Sequence, residues 1–164
     1  VYGIFDPITR ILWRYDPGAV RWSKVDVLPS SLVYNARDGI DLFSYQGRLW
    51  VLTRSGLSSY AKDGGWAAVM PMDLPYSSDG GMAALDPITG MAYVVRGEGT
   101  ADFATVHLPT GVIKILPDYL PDVVSVYGRR IQVTSWGGDR YVCILRGHDT
   151  AERWRLQLPA DGRL

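Results

Sequence analysis

A hydrophobic anchor followed by a proline recurs four times along this chain. Trp22 leads to Leu28-Pro29, Trp66 to Met70-Pro71, Ile113 to Leu116-Pro117 and Trp154 to Leu158-Pro159, and the prolines lie 42, 46 and 42 residues apart. A beat of about forty-odd residues is what repeated four-stranded propeller blades produce. One blade cannot bury both of its faces, so neighbouring blades stack and share a core. The beat constrains architecture closely and chemistry hardly at all.

Between the beats the apolar segments are short, rich in Val, Ile, Tyr and Trp, and punctuated by Gly, Pro and Asp. No stretch carries a helical stripe over three turns, so the chain reads as strands and turns throughout. The clearest blade spans 40–71. Ile40–Tyr45 turns at Gln46-Gly47 into Arg48–Thr53, and Leu57–Ala61 turns through Lys62-Asp63-Gly64-Gly65 into Trp66–Met70. Asp-Gly supplies the positive φ that a tight hairpin needs. The next blade, 82–117, pairs Met82–Leu85 with Met91–Arg96 around Asp86-Pro87-Ile88-Thr89-Gly90, then Phe103–Leu108 with Val112–Leu116. The last, 123–159, holds Val123–Tyr127, Ile131–Ser135, Tyr141–Arg146 and Arg153–Leu158. Residues 1–29 make part of a blade: Val1–Phe5, then an outer hairpin of Arg10–Tyr15 and Val20–Val25. Asp6-Pro7-Ile8-Thr9 repeats Asp86-Pro87-Ile88-Thr89, which places it at an inner turn instead; Trp22 and Pro29 favour the outer register. The expected fold is all-β: antiparallel propeller blades, about three and a half of them, in a single portion over 1–164. Trp22, Trp66 and Trp154 are expected to fill the space between sheets, each buried ring contributing about 2–3 kcal/mol.

Composition fits a packed domain: 164 residues, 47% hydrophobic and 21% charged. The 17 basic and 17 acidic side chains cancel, which removes the electrostatic case for nucleic acid or an anionic membrane as the main partner. No apolar run approaches the ~18 residues of a membrane span, and neither a leader nor a compartment is legible. Cys143 is the sole cysteine; a disulfide within the chain is impossible, and in Tyr141-Val142-Cys143-Ile144-Leu145 it reads as a small buried hydrophobe.

The hairpins resemble kelch repeats. Tyr15-Asp16-Pro17 precedes Trp22, Tyr60 precedes Trp66, and Trp136-Gly137-Gly138-Asp139 ends a strand with a Gly pair. The resemblance implies propellers of six or seven blades that mostly bind proteins, with a copper-oxidase minority. Ala84-Leu85-Asp86-Pro87-Ile88-Thr89-Gly90 is similar to the start of a quinoprotein-type repeat, although Val94 stands where that repeat has Trp. Ile40-Asp41 with Gly47 and Trp50 resembles a hemopexin-like blade. A six- or seven-bladed ring needs roughly 250–330 residues, so this chain is expected to be a propeller fragment, to be completed by a second copy or another partner, or to close as four blades. A dimeric ring would sediment as a dimer.

Residues suited to catalysis do not converge in the sequence. His107 and His148 lack the further ligands that a metal needs, so no metal or cofactor is expected. Gly97-Glu98-Gly99 lies between strands, without the helix that a phosphate cradle requires. Ser44, Ser55 and Ser135 lack a nucleophile turn. Asp63-Gly64-Gly65-Trp66 is too tightly spaced for a sialidase Asp-box. Glu98 and Asp102 have the chemistry of a general acid–base pair, but acids in propeller loops are commonly just solvated. Loops after the second and fourth strands of a blade emerge on one face, which would collect Arg96, Glu98, Asp102, Trp136, Asp139 and Arg140. Connections between blades would add Tyr34, Arg37, Asp38, Tyr76, Asp79 and Tyr119. Tyr, Trp and Arg dominate protein hot spots. The expectation is a non-catalytic module binding a protein partner through this face. The alternative is carbohydrate: a lectin, or part of a secreted carbohydrate-active or oxidase-type propeller protein.

Overall fold

The computed structural model describes residues 1–4, 9–32, 40–53, 55–71, 81–96, 100–116, 119–121, 130–147 and 150–164. These form four antiparallel sheets and a single 3-10 turn at Ser30–Leu32. The first sheet is β1 (Tyr2–Gly3), β2 (Ile11–Asp16) and β3 (Arg21–Val27). The second is β4 (Ile40–Tyr45), β5 (Arg48–Thr53), β6 (Gly56–Ala61) and β7 (Gly65–Trp66), with β8 (Met70–Pro71) also paired to β6. The third is β9 (Met82–Asp86), β10 (Met91–Val95), β11 (Phe103–His107) and β12 (Val112–Leu116). The fourth is β13 (Arg130–Trp136), β14 (Asp139–Gly147) and β15 (Thr150–Leu158). The protein is all-β, and the strands lie within a few residues of the positions that alternation and turn residues indicate. The expected strand Val123–Tyr127 lies outside the described residues.

The turns explain the spacing. Asp16 Oδ1 accepts hydrogen bonds from the backbone N–H of Gly18 (2.9 Å) and Ala19 (3.3 Å), and Asp86 Oδ1 accepts one from Ile88 (3.0 Å). The intervening proline presets the first turn residue. Each loop then needs a left-handed residue to re-enter the ladder: Gly90 (φ 73°) in one and Val20 (φ 50°) in the other. Arg10 (φ 54°) has the place of Gly90 after the repeated Asp-Pro-Ile-Thr. The Leu28 N–H bonds to the Arg10 carbonyl (2.8 Å) just as Leu108 bonds to Gly90 (3.0 Å). The pair β2–β3 thus begins like β10–β11, the register set aside in favour of the outer hairpin. Its far end is nonetheless built like the outer hairpin β6–β7. Tyr15 and Trp22 are cross-strand partners 5.3 Å apart, and Tyr60 and Trp66 are partners 5.2 Å apart.

The chain divides into two compact units, Val1–Asp73 and Leu74–Leu164. In the first, Leu12, Leu28, Leu32, Leu49, Val51 and Tyr60 form the core, with Trp66 packed against it. In the second, Ala84, Tyr93, Val95, Phe103, Ile131, Val142, Ile144 and Leu158 form the core, with Trp154 against it. Trp66 and Trp154 therefore take the expected structural role, half-buried. Trp22 does not: it is 40% exposed, because the short hairpin places it beside Tyr15 rather than between sheets. Cys143 is also only half-buried. It faces away from the core, paired across strands with Gln132 and Arg155.

Candidate interaction face

The second unit holds every expected site residue that is described; Tyr34, Arg37, Asp38, Tyr76, Asp79 and Glu98 lie outside the described residues. The six that remain do not share one surface. Arg96 and Asp102 flank the loop from β10 to β11. The Arg96 N–H bonds to the Asp102 carbonyl (3.2 Å), and Arg96 Nη1 donates to Asp102 Oδ2 (2.9 Å). This pair staples its own loop. Tyr119 lies at the same end of the sheet, its ring 5.6 Å from that of Phe103.

Trp136, Asp139 and Arg140 are at the other end. Gly137 and Gly138 form a two-residue hairpin at φ 62° and 92°, with Trp136 paired to Asp139 across it. Two successive positive φ angles are what the type I′ turn demands. The three residues therefore belong to strand ends, not to a loop that gathers with Arg96. Arg140 reaches across to the turn between β9 and β10, where its Nη1 donates to Asp86 Oδ2. Met91 pairs with Asp86 at that end of the sheet, and Val95 with Met82 at the Arg96 end. About 13 Å of strand separates the two ends at ~3.3 Å per residue. The shared face expected for these residues is corrected accordingly.

Arg140 is structural. The Asp86 side chain is 0% exposed and accepts from Thr89 Oγ1 (2.7 Å) as well as from Arg140. Arg140 Nη2 also donates to the Pro159 carbonyl (3.1 Å). Tyr93 Oη donates to the Gly162 carbonyl (2.7 Å). Burial, and then the Asp86 charge, hold the Tyr93 phenol well above its ordinary pKa. Together these bonds clasp the segment 159–162 onto the third sheet. A Cβ at Gly162 would stand 2.7 Å from Thr89 Oγ1, so only glycine allows so close an approach.

The fourth sheet separates its faces by strand alternation. Ile131, Val142, Ile144, Trp154 and Leu158 point into the core. The opposite face carries Arg130, Gln132, Trp136, Tyr141, Cys143, Arg153 and Arg155, as the cross-strand register requires. Trp136 is 72% exposed. The Arg155 guanidinium lies 5.6 Å from the Trp136 ring centroid and 4.7 Å from that of Tyr141, within cation–π range. A depression of about 280 Å³ beside them is bordered by Arg130, Gln132, Cys143, Leu145 and Arg153. Among the described residues, three arginines against the single acid Asp139 make this face basic although the chain as a whole is neutral. Tyr141, Arg153 and Arg155 were not among the expected residues. The signal was there, in the alternation of Arg153-Trp154-Arg155, with arginine on one face and tryptophan on the other.

The remaining candidates resolve locally. Ser55 Oγ donates to the Leu32 carbonyl (2.9 Å). His107, at the end of β11, bonds through Nδ1 to Thr110 Oγ1 (2.8 Å). His148 lies outside the described residues, and no group of three metal-binding side chains occurs among the described ones. Among the described residues no helix is long and apolar enough to cross a membrane. No protein-family model and no curated protein matches this chain.

Proposed function

We propose that this chain is a portion of a kelch-like β-propeller that serves as a non-catalytic interaction module. It binds a protein partner through the outer face of β13–β14–β15. The observation that carries this reading is the exposed Trp136, with the Arg155 guanidinium lying between its ring and that of Tyr141. A preordered Trp–Arg–Tyr array loses little side-chain entropy on binding and supplies the residue types that dominate protein hot spots. The surrounding arginines favour a partner surface that carries carboxylates. The burial pattern supports stacked blades: β10 is buried at every position, whereas β13 is exposed at Arg130, Gln132, Ser135 and Trp136.

The test begins with a partner captured from source extract and then purified. Its affinity for the wild type is compared with that for Trp136→Ala and Arg155→Ala. Each variant is expected to bind at least tenfold more weakly at an unchanged melting temperature, since neither side chain is in the core. Unchanged affinity in both variants overturns the face assignment. Saturable quenching of tryptophan fluorescence by a simple sugar, abolished in Trp136→Ala, would establish the carbohydrate alternative instead.

A further inference from the structure

Beyond that face, the second unit contains a cavity of about 480 Å³ whose lining includes Met91, Thr105, His107, Lys114, Arg163 and Leu164. This falls within the ~300–1,000 Å³ range of small-molecule sites. Its floor is one end of the third sheet. Met91, His107 and Val112 are cross-strand neighbours in one row, and Thr105 and Lys114 are partners in the next. Its roof is the segment that follows the clasp. The chain is fixed over β10 by the Tyr93–Gly162 bond and reaches β12, where Lys114 Nζ donates to the Leu164 carbonyl oxygen.

The lining is chemically one-sided. It contains Lys114, Arg163 and His107 but no carboxylate side chain. Among the described residues no carboxylate pairs with the Arg163 guanidinium; Asp161 Oδ1 accepts only the Arg163 backbone N–H (3.2 Å). Thr105 is 2% exposed and lines the cavity, yet its hydroxyl forms no hydrogen bond among the described residues. That hydroxyl is open to the cavity and can donate to an oxygen placed there. Met91, Val112 and Leu164 supply an apolar wall.

We infer that this cavity binds a small organic carboxylate. Its carboxylate is met by Arg163 and Lys114, one oxygen accepts the Thr105 hydroxyl, and its apolar body lies against Met91 and Val112. Sodium benzoate is a suitable probe, with benzyl alcohol as the uncharged control of similar shape. Titration of the full chain, followed by amide chemical shifts, is expected to give saturable benzoate binding centred on β11, β12 and Arg163, and none with benzyl alcohol. Arg163→Met is expected to weaken binding at least tenfold and Thr105→Val about fivefold. Arg153→Met, on the opposite face of the fourth sheet, is expected to leave it unchanged. Lys114→Met, on an exposed edge strand, replaces Thr105→Val if that variant does not fold. Absence of saturation, equal binding of benzyl alcohol, unchanged affinity in either cavity variant, or equal weakening by Arg153→Met overturns the inference.

Discussion

Asp86 has a fully buried side chain, and its charge is tolerable because Arg140, Thr89 and the Ile88 N–H meet it. Removing one partner of such a pair strands the other charge, which typically costs about 3–5 kcal/mol. Arg140→Met is therefore expected to lower stability by about that amount in denaturant titration, and Asp86→Asn added to it to recover a large part. Tyr93 makes a second, pH-dependent contribution. Its phenol pKa is raised in the folded state, so the associated stability is complete below the ordinary value of 10.0 and is lost as pH rises beyond it. Tyr93→Phe is expected to cost about 1 kcal/mol at neutral pH through the lost bond to Gly162. It is also expected to flatten the alkaline decline, which melting curves from pH 8 to 11 would show. On the opposite side of the pH scale, Glu152 accepts from Trp154 Nε1 and Arg146, and both hydrogen bonds lower its carboxyl pKa.

The elements show where local rules suffice. Asp-Pro turns, Gly137-Gly138 and Gly65 predict their hairpins because only a few residues can supply the required φ angles. Val20 breaks that rule. A β-branched residue at φ 50°, 75% exposed, is strained without compensating burial. Val20→Gly is expected to raise stability by about 0.5–1 kcal/mol, measured as a shift in denaturant midpoint; a loss would show that the valine makes contacts that matter. Nothing in local preference separates Trp22, which is exposed, from Trp66 and Trp154, which pack on cores. All three follow the same beat. All three lie on edge strands, and what differs is the core each one meets: Trp66 and Trp154 pack against the apolar clusters of their units, whereas Trp22 stands beside Tyr15 outside them.

Across the whole chain, each of the two units has its own apolar cluster, one drawn from 2–69 and one from 82–164. A polypeptide of residues 74–164 is accordingly expected to keep its β-sheet circular dichroism and to melt cooperatively. A featureless spectrum would show that its core depends on the first unit. The expectation that loops would gather into one binding face did not survive at this scale. It assumed that Trp136, Asp139 and Arg140 follow a second strand as Arg96 does, whereas a two-residue turn puts them at the opposite end of the sheets. The basic outer face and the cavity under Arg163 were equally illegible in composition, since a net charge of zero hides a local excess of arginine.

The sequence by itself determined the all-β character, the strand positions and most of the turns. Those depend on alternation and on backbone preferences acting over a few residues. Only the tertiary structure decided that Arg140 is a strut rather than a contact residue, because its partner Asp86 lies 54 positions away. It alone decided that Trp136 stands exposed while Trp154 packs inward, and that Thr105 lines a basic cavity. Burial and ion pairing are set by neighbours brought together through sheet register and stacking, and that information is not local to any stretch of the chain.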